Sequence, residues 1–409
     1  MSFRSLTDYF GRFGSFSPNA RAYLIGTFLM GLGHGAVWVH LNLYYRELGL
    51  GEEAIGRLLS ARSFGTVLMA IPAAFLIDRI RARYVFGISA VGFAFSILGQ
   101  LSTPKLPLLS LYALLSGMAF TIHWATAAPF FMRNSNPEHR IYLFGFSHAT
   151  ETTATIVAAL GIGWLSRTLT QVTGTELEGL RWSLVIAAIA SLAALVPFVR
   201  IDDPPFEAKA RRLKDHLLSR DWITLGKLIV PSSLVGLGAG LVIPFLNLYF
   251  RDRFDQNPLE IGGFFAVSQF FTVIGFLAGP AVARRFGMIP TVVLTEVLSI
   301  PFFLMLAFTQ SLPVAVFAFW LRGALMNMNH PLLTNFAMEV VGADEQAVTN
   351  SMRMLAWNLS WMVSTQAGGW LIEKHGFTLP MLITISLYAV SSVVTYIFWR
   401  RHLLIGRST

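Results

Sequence analysis

The chain contains no cysteine and few charges. Without cysteine there is no disulfide, no thiolate metal site and no thiol nucleophile. Charged residues make up 13% of the 409 positions, against about 25% in ordinary soluble domains. A nucleotide-binding Gly-x-x-x-x-Gly-Lys-Ser/Thr loop is missing as well, which argues against ATP-driven transport by this chain. No Ser-His-Asp arrangement stands out, and Glu138, His139 and His148 do not have the spacing of a helical metal pair. Neither an enzymatic activity, a cofactor nor a metal is expected.

What the chain does have is apolar length. Hydrophobic residues reach 54% and the mean hydropathy is +0.59, more apolar surface than a soluble chain of this size can hide. The apolar material is also duplicated. Gly31-Leu32-Gly33-His34-Gly35 leading to Leu41-Asn42-Leu43-Tyr44 returns 205 residues later as Gly236-Leu237-Gly238-Ala239-Gly240 leading to Leu246-Asn247-Leu248-Tyr249. The correspondence continues through Ile55-Gly56 with Ile261-Gly262 and Gly163-Trp164-Leu165 with Gly369-Trp370-Leu371. Parallel duplicated halves mark one large class of secondary transporter.

A spanning helix needs roughly 20 apolar residues. That length predicts twelve spans, near 21–46, 54–77, 84–102, 106–132, 141–166 and 181–199, then 223–250, 258–283, 289–309, 313–338, 346–372 and 378–400. The expected organisation is an interfacial segment over 1–20, a six-helix bundle over 21–199, a charged linker over 200–221, a second bundle over 222–400 and a tail over 401–409. No cleavable signal peptide is expected, because the first apolar run is already a full span. Arg79, Arg81, Arg83, Arg133, Arg140, the basic linker, Arg284, Arg285, Arg400 and Arg401 all fall on one side of the membrane. The positive-inside rule makes that side, and both termini, cytoplasmic. The net charge of +9 is therefore a topology signal with contacts to anionic lipid, and nucleic acid is not expected as a partner.

On these residues the chain resembles the major facilitator superfamily. Between spans 2 and 3 that family carries Gly-x-Leu-x-Asp-Arg-x-Gly-Arg-Arg; here the place reads Ala74-Phe75-Leu76-Ile77-Asp78-Arg79-Ile80-Arg81-Ala82-Arg83, keeping the Leu, Asp and Arg and losing both glycines. The resemblance implies an all-α membrane protein of twelve transmembrane helices in two pseudo-symmetric bundles, monomeric and working by alternating access. It also implies that Asp78 and Arg79 gate the transporter, with Arg353 in span 11 as a partner. Asp78 merely capping its own loop is the plainer alternative. Ala113 stands where many members have a span-4 Arg, and span 5 lacks the Gly-Pro pair of many drug/proton antiporters.

Ionisable groups at membrane depth are costly and each is a functional hypothesis. Most are present in one half only: His34 aligns with Ala239, His123 with Asn329, Glu151 with Trp357 and Arg322 with Ser116. Glu151 lies mid-span, with His148 one turn earlier and Thr155 one turn later on the same face. Glu151, His148, His34 and His123 are the proton-coupling candidates, the alternative being a static pair of Glu151 with Arg62 or Arg57. Arg322 and Arg62 are candidates for an anionic group on the substrate, unless Arg322 simply pairs with Glu296. Trp38, Trp124, Asn327, Asn329, Gln269 and Trp357 complete the substrate-binding candidates. The repeated glycines are expected at a rocking interface, and the repeated Asn42, Tyr44, Asn247 and Tyr249 as structural anchors of the outer mouth. The expected function is secondary transport of a small organic solute, proton-coupled, in a bacterial cytoplasmic membrane. A lipid or amphiphile flippase of the same fold and a non-transporting sensor are the alternatives.

Overall fold

The computed structural model describes residue 14 and residues 16–202, 221–342 and 345–405, the side chains of 74, 75, 77, 78, 137–141, 347 and 401–405 excepted. The expected interfacial segment, the basic linker and the tail lie largely outside the described residues.

Twelve long helical segments account for nearly all of the described chain. They are α1 (Pro18–Glu47), α2 (Glu52–Arg79), α3 (Ala82–Ser102), α4 (Leu106–Asn134), α5 (Pro137–Thr173), α6 (Glu176–Val199), α7 (Trp222–Phe254), α8 (Pro258–Phe286), α9 (Met288–Phe308), α10 (Leu312–Val340), α11 (Gln346–His375) and α12 (Thr378–Ile405). Sequence chemistry sets their ends. Ser17 caps α1, its hydroxyl accepting from the Ala20 N–H at 3.2 Å, and Pro18 supplies a pre-set φ in the first turn. The α5 helix starts at Pro137 and stops before Gly174, whose φ of 82° ends it with a left-handed residue. It thus outruns the expected 141–166 at both ends.

Nine of the helical segments, among the described residues, are long and apolar enough to cross a membrane. The three below that apolarity are α5, α10 and α11. These are the helices that carry Glu151 and His148, Arg322 with Asn327 and Asn329, and Arg353. Their polar residues are what lower their hydropathy.

The two halves repeat one packing scheme. In the first, α1 lies on α5 and α6, while α3 lies on α4 and α6; in the second, α7 lies on α11 and α12, while α9 lies on α10 and α12. The duplicated tyrosines make the duplicated bond. Tyr44 donates to the Leu101 carbonyl at 3.3 Å and Tyr249 to the Leu306 carbonyl at 2.7 Å, each tying the end of the first helix of its half to the end of the third. Both residues are structural, as duplication suggests.

The glycine runs correct the sequence reading. A Cβ on Gly31 would sit 2.7 Å from the Ala154 Cβ of α5, and one on Gly33 would overlap the Ser191 hydroxyl of α6. In the second half Gly236 and Gly240 approach Ser360 and Ser364 of α11 in the same way, and Gly238 approaches Tyr388 of α12. Missing side chains let backbones come close, and here they do so inside each half.

One element departs from the repeat. The α1 helix is continuous, whereas α7 breaks at a 3-10 turn, Ile243–Phe245, before resuming. Pro244 stands where the first copy has Val39. Proline offers no N–H and crowds the carbonyl four residues back, which breaks an α-helix.

Two compact units emerge from the contacts. One gathers the described residues of Met1–Leu48, Phe64–Lys209 and Pro258–Gly263; the other gathers those of Gly49–Ser63, Ala210–Asn257 and Phe264–Thr409. The divisions within α2 and α8 fall inside helices, two turns past Gly56 and directly after Gly262-Gly263.

Candidate functional site

In the first unit α1, α4 and α5 enclose a cavity of about 80 Å³. The α1 helix contributes Tyr23 and Thr27 at a spacing of four. The α4 helix contributes His123, Trp124, Ala127, Ala128 and Phe131, and α5 contributes Phe144, Ser147, His148 and Glu151. The α5 residues fall at intervals of three and four, one face of the helix. Helical periodicity therefore turns a stretch of chain into a wall.

The cavity is framed by rings. Tyr23 stacks on His123 with centroids 5.8 Å apart and planes 11° from parallel. Tyr23 also meets Phe131 edge-on at 4.9 Å, and Phe131 meets Phe144 edge-on at 4.9 Å. On the far side Trp124 lies 5.9 Å from His148. Polar groups are few. Tyr23, Thr27 and Ser147 bring hydroxyls to the cavity. His123 approaches the Thr27 hydroxyl through Nε2 at 3.5 Å, while its buried Nδ1 has no hydrogen-bond partner among the described residues.

Among the described residues Glu151 is the one carboxylate on this wall. Its backbone carbonyl accepts from Thr155 at 3.0 Å, but its carboxylate has neither ion pair nor hydrogen bond among the described residues. Arg57 pairs with Glu53 on its own helix.

Three of the four proton-coupling candidates, Glu151, His148 and His123, thus meet at one cavity. His34 does not line it. Its ring stacks on Phe120 at 4.4 Å, and Phe120 in turn reaches Trp124 at 6.1 Å, so His34 stands one ring behind the wall. Of the substrate-binding candidates, Trp124 lines the cavity, and Trp38 is half-buried on α1.

The others lie in the second unit. Arg322 is buried on α10. Its guanidinium covers the Phe303 ring at 5.1 Å, while its Nε has no hydrogen-bond partner among the described residues. It makes no pair with Glu296, whose carboxylate accepts from Ser392 at 2.8 Å. Asn327 ties α10 to α8 by donating to Thr272 at 3.2 Å. Asn329 is buried and accepts from Thr295. Trp357 stacks with Trp361 at 6.0 Å. Arg62 and Gln269 are half-buried on α2 and α8. Of the gating candidates, Arg79 is exposed and Arg353 half-buried, while the Asp78 side chain lies outside the described residues.

Sequence reasoning did not single out Tyr23, Thr27, Phe131, Phe144 or Ser147 as site residues. For Phe144 and Ser147 the signal was present, since they continue the Glu151–His148 face toward the start of α5. For the others it was not, because only packing brings α1 and α4 to that face.

A duplicated bundle of long apolar helices with polar residues held at membrane depth defines an integral membrane protein of the secondary-transporter class. The chain belongs to the Major Facilitator Superfamily, whose family model matches residues 23–365. Solved structures share the fold at low identity. The nucleoside transporter NupG is 17% identical with a TM-score of 0.75, over 95% of this chain and 99% of that one. A D-xylose-proton symporter is 14% identical with a TM-score of 0.75, over 93% and 97%. A bacterial homolog of the human lysosomal transporter Spinster, inward-facing and occupied, is 17% identical with a TM-score of 0.70, over 96% and 97%. No curated protein sequence matches the chain.

Proposed function

We propose that this chain moves a small organic solute across the membrane by alternating access, coupled to protons through Glu151. Its halves, 21–199 and 222–400, are the moving bodies. It works as a monomer in the cytoplasmic membrane with both termini cytoplasmic, and Asp78, Arg79 and Arg353 act at the gate.

The observation that carries the reading is the Glu151 carboxylate, mid-span on a cavity wall and without ion pair or hydrogen bond among the described residues. A bare carboxylate away from water is costly, and protonation removes that cost. The group therefore changes charge as its cavity opens to water or closes. The titratable groups that face it are Tyr23 from α1, His123 from α4 and His148 from its own helix. The presence of a D-xylose-proton symporter among the fold neighbours supports coupling as a property this architecture sustains.

The test is proton uptake by proteoliposomes under an imposed solute gradient. Wild type acidifies or alkalinises the lumen in step with solute, and Glu151→Gln moves solute without protons or not at all. Full coupling in Glu151→Gln overturns the reading.

A further inference from the structure

We infer that the cavity between α1, α4 and α5 takes the cationic head of an organic ammonium solute. The inference rests on the transporter reading above and names the substrate class of that same site.

The charge balance of the wall comes first. Among the described residues the formally charged group lining the cavity is Glu151, and no Lys or Arg lines it. An anionic solute would meet an unpaired carboxylate there with nothing to offset it. Arg322, the cation that sequence position favours for binding an anion, is otherwise engaged. It is buried against Phe303 in the other unit.

The walls supply the second argument. Tyr23, Trp124, Phe131 and Phe144 come from three helices to surround a small volume with ring faces and edges. Faces of Trp and Tyr attract ammonium groups within about 6 Å, most strongly when water is excluded. A cage of rings with one acid is how a protein recognises a compact ammonium. A neutral sugar would need many more hydrogen-bonding groups than Thr27, Ser147 and Tyr23 provide. The size agrees: about 80 Å³ holds a methylated or primary ammonium head, with the rest of the solute extending from it.

The experiment is equilibrium binding to the purified full-length protein, read by Trp fluorescence and by calorimetry. The probes are choline, tetramethylammonium and phenethylammonium. Their controls are 3,3-dimethylbutan-1-ol (the uncharged shape of choline), benzoate and adenosine. At least one ammonium probe is expected to bind, tenfold or more tighter than the uncharged isostere. That binding falls at least tenfold in Glu151→Gln and in Trp124→Leu, and Trp124→Phe restores part of it. Arg322→Lys leaves it within twofold, which separates this cavity from general damage. Preferential binding of benzoate or adenosine, equal binding of choline and its isostere, or no binding by any ammonium probe overturns the inference. Proton release on binding, followed with an indicator in weak buffer, separates the two proposals. Ammonium binding without proton release keeps this site and removes coupling through Glu151. Solute-coupled proton movement in a protein that binds no ammonium does the reverse.

Discussion

The Glu373 carboxylate, near the end of α11, accepts a hydrogen bond from the Glu53 backbone N–H in the first turn of α2, at 2.8 Å. The first N–H groups of a helix have no partner within it, and here one is supplied by a side chain 320 positions away. Glu373→Ala is expected to cost about 1 kcal/mol, the usual value of a lost N-terminal cap. Glu373→Gln, which keeps an acceptor, is expected to cost less. Amide exchange over residues 52–57 checks both, and unchanged protection in the alanine variant would show the contact to be idle.

Arg322 and Phe303 form a second such tie inside the second unit, the guanidinium lying 5.1 Å from the ring centroid. A desolvated cation–π contact contributes about 2 kcal/mol, so Phe303→Leu and Arg322→Ala are each expected to lower stability by at least that much. Because the two groups share one contact, the double variant should lose clearly less than the sum of the singles. Thermal unfolding of all three proteins in detergent measures this, and strict additivity would mean the contact contributes nothing.

Close approach at the glycines gives a contrast within one chemistry. Gly240 faces the Ser364 hydroxyl with no room for a Cβ, whereas a Cβ on Gly161 would meet nothing within 4 Å. Overpacking a fitted contact costs about 1–3 kcal/mol. Gly240→Ala is therefore expected to destabilise by that amount, while Gly161→Ala is neutral or slightly stabilising. Melting temperatures of the two variants decide the matter.

Asp221 caps α7 from outside the span. Its carboxylate accepts from the Thr224 hydroxyl at 2.6 Å and from the backbone N–H of Thr224 and Ile223 at 3.1 and 3.0 Å. The Thr224 hydroxyl first, then these N–H groups and Lys227, hold its carboxyl below the usual range. A depressed value in the folded state stabilises above the unfolded pKa of about 3.9 and loses that stabilisation as pH falls through the folded value. Protection of the Ile223 and Thr224 amides should therefore weaken on acidification below about pH 4. In Asp221→Asn the same amides should show no such dependence.

Much of this architecture was legible in the chain. Length and apolarity place all twelve helical segments, nine of which, among the described residues, are long and apolar enough to cross a membrane, and the offset between copies pairs Tyr44 with Tyr249, which make equivalent bonds. The errors have physical causes. Helix ends at Pro137 and Thr173 lie in polar sequence, where hydropathy carries no signal. Pro244 sits inside an apolar run, so the break in α7 was hidden by the composition around it. Retention of the glycines in both halves is compatible with packing within a half or between halves, and only the neighbours of Gly33 and Gly240 tell the two apart. At the site, Glu151 and His148 were visible because they share a helix, while Tyr23 and Phe131 reach the same cavity by tertiary packing alone. Arg322 stood out as a costly charge, but a sequence does not say that the Phe303 ring already covers it.

The break at Pro244 has a mechanical consequence. A continuous α1 transmits bending along its whole length as a stiff rod. The α7 helix, cut by the turn at Ile243–Phe245, is a jointed one, whose short second piece Leu246–Phe254 is anchored to α9 by Tyr249 while the longer first piece is held by α11 and α12. Gene duplication left two copies of one machine part, and a single proline gave them unequal compliance.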